Sequence, residues 1–139
     1  MVASGVRELS RARCLELLAT AIVGRVGVSV RALPVILPVN YLLDGERVIF
    51  RTVPGTKLDA AVHRSVVAFE ADAHDPDGAW GWSVLIQGVA SEISAPADLE
   101  RARKLLTRTW AFLGEGAVRF VSIEPTFMSG RAFGSIPAG

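Results

Sequence analysis

Phe50-Arg51-Thr52-Val53-Pro54-Gly55-Thr56-Lys57-Leu58 carries an apolar strand onto an arginine and a threonine and turns the chain at Pro-Gly. A second threonine and a lysine follow before a helical pattern begins. Two cations, two hydroxyls and the N–H groups of a helix start are gathered in one short stretch. A phosphate group is bound by this combination of charge-assisted hydrogen bonds, free backbone donors and a positive dipole end. The same residues also describe an ordinary strand-to-helix turn with solvated cations, and from this stretch alone both readings stand.

The surrounding chain limits the choice. At 139 residues it fits one domain, 1–139, with residues 1–8 and 134–139 expected to be flexible. Half of the residues are hydrophobic and 21% are charged, which argues against disorder. A net charge of +1 leaves no strongly basic face, so no nucleic-acid partner is expected. The longest apolar run, Leu33 to Leu43, is broken by Pro34, Pro38 and Asn40, so no membrane span is expected either. Arg7, Glu8, Arg11, Arg13 and Glu16 are scattered where a secretory leader would be apolar. Cys14 is the single cysteine, which excludes an internal disulfide and fits a cytoplasmic location. Leu15, Leu17 and Leu18 beside it predict a core-facing thiol.

Working outward from the elbow, Arg47–Thr52 reads as a strand. Asp44-Gly45 before it is a hairpin signal that joins it to a strand over Pro34–Leu43. The two prolines cannot donate ladder hydrogen bonds, so part of that strand must lie at an edge or against something other than a strand. Ile22, Gly24, Val26, Val28 and Val30 alternate with polar or small residues and predict an earlier strand, preceded by a helix from Ser10 to Ala21. After the elbow, Lys57–His63 predicts a two-turn helix capped by Thr56. Strands are predicted over Val66–Asp72, Trp82–Ile93, Val118–Ile123 and Phe127–Phe133, with a helix from Ala97 to Leu113 that carries Trp110 on its apolar face. The early strands follow one another through a hairpin rather than as βαβ units. The predicted fold is therefore mainly β (α+β): six or seven strands in an antiparallel sheet closing into a barrel, with about three helices at its flanks.

Pro38-Val39-Asn40-Tyr41, Phe50-Arg51-Thr52, Gly55-Thr56-Lys57-Leu58, Phe69-Glu70-Ala71-Asp72 and Gly81-Trp82-Ser83-Val84 with Gln87-Gly88 occur in order. In this order and spacing the chain resembles the flavin-binding split-barrel proteins related to pyridoxamine 5′-phosphate oxidase, over roughly Leu9 to Gly134. It is most similar to the short bacterial branch related to nitroimidazole-resistance proteins. The resemblance implies that this barrel is a six- to seven-stranded antiparallel split β-barrel, six strands in the family, forming a homodimer with FMN in two clefts at the subunit interface. It also implies that Arg51, Thr52, Thr56 and Lys57 hold the flavin phosphate. The backbone around Leu37, Pro38, Val39 and Asn40 would line the ring, and Trp82 and Gln87 would border the cleft. A ligand beside the Pro34–Leu43 strand would account for its missing ladder donors. The chain ends soon after Gly130-Arg131, where pyridoxamine phosphate oxidases proper carry further basic residues that grip their substrate, so that reaction is not expected.

The implied function is that of a flavoprotein, an oxidoreductase acting on a small organic substrate, with no side chain required as acid or base and no catalytic residue named. Two alternatives remain. One is the deazaflavin F420 on the same fold, whose longer anionic tail would need further cations such as Arg25 or Arg31. The other is a non-enzymatic flavin-binding or redox-sensing dimer. His63, at the end of the short helix, suits the helix dipole or the rim of a cleft. His74 with Glu70, Asp72, Asp75 and Asp77 does not fit a calcium loop, and no metal site is predicted. Trp80 and Trp82, two apart, share a face that serves a ring wall, a dimer contact or the core. Arg131 serves a terminal strand, a dimer contact or a ligand.

Overall fold

An alternating pattern becomes a strand where one face can be buried, and six long segments of this chain meet that condition around a single interior. The computed structural model describes residues 5–105 and 118–138. In chain order the elements are β1 (Val6–Glu8), α1 (Arg11–Leu18), β2 (Val23–Val30), β3 (Leu33–Asp44) and β4 (Arg47–Thr52). They continue as α2 (Lys57–Val62), β5 (Ser65–His74), β6 (Gly81–Glu92), α3 (Pro96–Leu105) and β7 (Arg119–Phe133). Every strand pairing is antiparallel. The strand order is β1-β7-β4-β3-β2-β5-β6, and β6 pairs back onto β7, so six strands close a barrel with β1 added at its rim. This is the mainly antiparallel barrel with three helices that the sequence predicts.

The interior is filled by Phe50, Phe69, Leu18, Val26, Val84, Ile86 and Ile123, all buried, with Tyr41 meeting Phe69 edge-on at 4.8 Å between ring centres. α1 closes one end of the barrel through Cys14, Leu17 and Leu18. Ser10 caps this helix by accepting from the Arg13 N–H, and the Tyr41 hydroxyl donates to Leu18 O at 2.6 Å beyond its last turn. Cys14 lies in the core as expected, and burial pushes its thiol pKa up. A second, smaller cluster of Ile49, Ile93, Ala102 and Phe120 lies on the opposite face of β4, against α3. Arg47 donates to both Asp44 and Asp98 there, which ties α3 to the β3–β4 hairpin.

Strand β3 divides its partners. Leu33 to Asn40 are in register with β2, whereas Tyr41 to Asp44 are in register with β4. Tyr41 donates its backbone N–H to Ile22 O, so the odd-numbered residues of β3 face β2. By alternation Pro34, Ile36 and Pro38 turn their backbone groups to the other edge, which β4 leaves open beyond the Tyr41–Phe50 pair. Both prolines thus sit where no neighbouring strand asks for a donor, at an edge, as the sequence requires.

Three local expectations change. The two terminal strands are one fifteen-residue strand, β7. Pro125 does not break it, because Gly88 pairs with Pro125 and Gln87 with Phe127, leaving Thr126 as the extra residue of a bulge. β1 is a strand within residues 1–8, where the sequence reading placed none; Val6–Glu8 is held by the ladder to Glu8's partner Arg131 and its neighbours Ala132 and Phe133. Past Gly134, Ile136 packs against the core. α3 is described to Leu105, and Trp110 lies outside the described residues.

The bulge makes one glycine irreplaceable. A Cβ on Gly88 would lie 2.0 Å from the backbone oxygen of Glu124, which cannot rotate away. Gly88→Ala should therefore cost about 1–3 kcal/mol, the range for overpacking a well-filled interior, read as a lower urea midpoint at unchanged slope.

Candidate functional site

The elbow after β4 is organised by a residue that the sequence reading passed over. Asp59 is 7% exposed and accepts from the Thr52 hydroxyl at 2.8 Å and from Gly55 N–H at 3.2 Å. Its own N–H donates to Thr56 Oγ1, so Thr56 is the N-cap of α2 as predicted, and the Thr56 hydroxyl donates in turn to Val53 O at 2.8 Å. Arg119 of β7 stands 3.5 Å from the same carboxylate. The spacing Thr-x-x-Asp is a short form of a capping box, and it was visible in the sequence. What was not visible is that the carboxylate continues past the helix to Thr52 and Arg119.

This changes the roles expected at the elbow. Thr52 is 1% exposed, and its hydroxyl is directed at Asp59 rather than outward. Thr52 and Asp59 hold the elbow's shape. Half-buried Arg51 leaves β4 on the Ile49 face. Lys57 is exposed, and among the described residues it enters no ion pair.

Gly55, Thr56 and Lys57 form one wall of a groove of about 660 Å³. Ala60 and Ala61 of α2 extend that wall, and the opposite wall is the β2–β3 hairpin through Val30, Arg31, Leu33 and Val35. The size lies within the usual range for a small-molecule site, and the mix of an apolar floor with a few charged groups is the usual lining. Lys57 and Thr56 are thereby brought together with the start of β3, as a bound phosphate would require.

The remaining predicted residues divide by the parity of their strands. Val39 is buried and Leu37 half-buried, and by the parity above their backbone groups face β2 rather than the open edge. Pro38 lines a separate depression of about 600 Å³ with Ile22, Val23, Arg25 and Ile36. Asn40 is half-buried beside the point where β3 and β4 part. Trp82 and Gln87 are five apart on one strand and must point to opposite faces. Trp82 is 5% exposed among the core residues, with Trp80 packed nearby, and it lines two small depressions, neither of which is the groove beside the elbow. Gln87 faces outward in a cross-sheet row of Ile36, Gly27, Ala68, Gln87 and Phe127. Ile36 and Phe127 in that row and Val66 beside it are each about 70% exposed (71%, 68% and 76%), an apolar outer face of unusual extent.

That face carries one perturbed acid. Arg25 reaches Glu70 at 3.4 Å and Asp72 at 3.0 Å. Burial nevertheless raises the Glu70 pKa to about 7, with Asp72 adding to the rise and Arg25 opposing it. Arg25 is thus committed to two carboxylates and is not the free cation that a longer anionic tail would need. His63 ends α2 and stands 3.9 Å from Glu92, which also accepts from Arg119. His74 lies opposite Gly81 at the end of β5, and Arg131 is paired in register with Glu8 and Ser83.

Comparison with known proteins adds an independent line. The family model described as pyridoxamine 5′-phosphate oxidase matches residues 10–132. An uncharacterized protein of Mycobacterium tuberculosis is 42% identical over 130 residues, covering 90% of this chain and 84% of that protein. The solved FAD-binding protein of Mycobacterium smegmatis is 35% identical, with a TM-score of 0.77 over 91% of this chain and 97% of that one. A FAD-binding protein of Mesorhizobium loti superposes equally well at 0.77 over 94% and 98%, and at 23% identity it shows the shared fold alone.

Two measurements probe the site's construction. Asp59→Ala leaves the Thr52 hydroxyl and the Gly55 N–H without their acceptor and removes one of the two carboxylates beside Arg119, and should cost about 2 kcal/mol or more, given about 1–3 kcal/mol per buried group left unsatisfied, read by chemical denaturation. Glu70 holds its proton more tightly in the folded chain than at its ordinary value of 4.5. The folded state therefore binds more protons across that window, and stability should fall as pH rises from about 4.5 to about 7. Glu70→Gln should flatten this part of the pH–Tm curve.

Proposed function

The chain belongs to the pyridoxamine 5′-phosphate oxidase family, and within it we propose that this protein is a flavin-binding homodimer acting as an oxidoreductase on a small organic substrate. The observation that carries the reading is the groove beside the elbow. Lys57 lines it with no acid partner among the described residues, at the place where the family resemblance puts the phosphate of FMN. A flavin when bound supplies the electron-transfer chemistry, and the protein supplies binding, orientation and access.

The residues present suit such a ligand. Arg51 and Lys57 would neutralise the phosphate, and Asp59 with Thr52 would keep the loop between them in one shape. The open edge of β3 offers the N–H and C=O groups of Ile36 and the C=O groups of its neighbouring prolines to a flat, polar-edged ring, while Pro34 and Pro38 keep another strand from taking that edge. The apolar outer face supports pairing with a second copy, since a monomer would leave Ile36, Val66 and Phe127 in water. A two-fold pair would give two equal sites. Oxidation of pyridoxamine phosphate is not part of the proposal, because Arg131 lies along β7 in register with Glu8 and Ser83 rather than in the groove beside Lys57. Cytoplasmic residence is part of the proposal and rests on the lone buried Cys14. Among the described residues no helix is long and apolar enough to cross a membrane.

Arg51→Ala with Lys57→Ala should weaken FMN binding by roughly a hundredfold or more, since each charge-assisted contact contributes about 1.5–3 kcal/mol. Circular dichroism and sedimentation should leave the variant folded and in its original assembly state. Native flavin affinity in the double variant would overturn the phosphate assignment.

A further inference from the structure

We propose that Arg119 is a positioning residue for the elbow, shared between Asp59 and Glu92, and that protonation of His63 decides which of the two carboxylates it serves. The groove beside Lys57 then holds an anion more tightly when His63 carries a proton. This rests on the flavin reading above and adds a control on the phosphate end of that site.

The side chains concerned meet at one end of the barrel. Arg119 of β7 is in register with Thr52 of β4, and Val121, two residues on, is in register with Glu92 of β6. Cross-strand partners and residues two apart share a face, so Thr52, Arg119 and Glu92 point the same way. α2 contributes Asp59 and, at its C-cap, His63.

Arg119 stands between two carboxylates and fully engages neither. Its Nη1 donates to Glu92 Oε1 at 3.3 Å, and its Nε is 3.5 Å from Asp59 Oδ1. That Nε is buried and makes no hydrogen bond among the described residues. An unsatisfied buried donor is costly, and closing the gap to Asp59 by about half an ångström would satisfy it. Glu92 holds the other end of the guanidinium. His63 Nε2 lies 3.9 Å from the same Glu92 Oε1, so a protonated imidazole competes with Arg119 for that oxygen. As a like charge it also drives the guanidinium toward Asp59, and the neutral ring does neither. Among the described residues the charged groups around His63 are Glu92 of β6, Arg119 of β7 behind it, Asp59 four residues back on α2 and the adjoining Arg64.

Asp59 carries the effect to the ligand. Its carboxylate accepts from Gly55 N–H, and Gly55 forms the groove wall with Thr56 and Lys57. A negative charge behind that wall opposes an anion in front of it, and Arg119 drawn onto Asp59 cancels the opposition.

Two readouts on the full chain test this. The first needs no ligand. The Nε–H of Arg119, assigned in proton–nitrogen NMR spectra by its loss in Arg119→Gln, should move toward the shift of a hydrogen-bonded group as pH falls from about 8 to about 6. In His63→Gln it should stay in place. The second is the ratio of FMN to riboflavin affinity. Riboflavin lacks the phosphate, so the ratio reports the phosphate end and cancels general damage to the fold. On the same fall in pH the ratio should rise by about two- to fivefold more in the unaltered chain than in His63→Gln, the scale of one partly exposed ion pair. The titrations of Glu70 and of the phosphate itself are common to both and drop out of that comparison. Glu92→Gln frees Arg119 for Asp59 whatever the pH, so the ratio at the higher pH should rise by a similar factor, whereas a merely structural role predicts a fall or no change. Arg119→Gln should lower the ratio at both ends of the range. An Nε–H that ignores His63, or equal pH responses in the unaltered chain and His63→Gln, overturns the inference. If neither flavin binds the unaltered chain but the Nε–H follows His63, the flavin reading falls and the shared arginine stands.

Discussion

A single carboxylate, Asp59, fixes the relation between the barrel and everything built on its open side. It is almost wholly buried, and a buried charge is tolerated only where hydrogen bonds and an opposite charge replace its water. Thr52, Gly55 and Arg119 supply that replacement from three different segments: the end of β4, the turn, and the start of β7. Satisfying one group therefore fixes the exit of β4, the entry of α2 and the return of β7 together. Lys57 follows directly on the cap of that helix, so its position in the groove is set by an interaction it does not itself make.

The second constraint is the separation of β3 from β4. Barrel closure asks each strand to pair on both sides, yet β3 pairs with β4 only over Tyr41 to Asp44. The prolines at 34 and 38 make this separation tolerable, since the positions that would have donated across the gap include two that have nothing to donate. The open edge, the groove beside the hairpin and the exposed outer face are consequences of one strand that leaves its neighbour early. A site at the margin of the barrel follows from filling the interior: Phe50, Phe69, Trp82 and Ile86 leave no room for a ligand inside.

Several features were legible because they are local. The Asp44-Gly45 hairpin, the Thr56 cap, the buried Cys14 and the alternation of β2 and β6 depend on neighbours a few residues away. The misplacements share one cause. Thr52 was read as a hydroxyl for a ligand because its partner is seven residues on and folded beneath it. Trp82 and Gln87 are expected at one cleft because the resemblance is carried over by strand, whereas strand parity turns them to opposite faces. The strands expected over Val118–Ile123 and Phe127–Phe133 are one, because the residues between them are accommodated opposite Gly88, far away in sequence and adjacent only across the β6–β7 ladder.

Composition, turn chemistry and periodicity by themselves determined a single mainly antiparallel barrel, the elbow with its cations, and an edge position for the proline-bearing strand. These follow from dihedral preference and from which residues share a face, properties that act over one or two turns of chain. The tertiary structure alone decided which hydroxyls turn inward to Asp59, that Arg25 is neutralised by Glu70 and Asp72, and that Arg31 and Lys57 share one groove. Those outcomes depend on burial and on charges brought together from distant segments, and the free energy of a charge is set by its surroundings in space rather than by its neighbours along the chain.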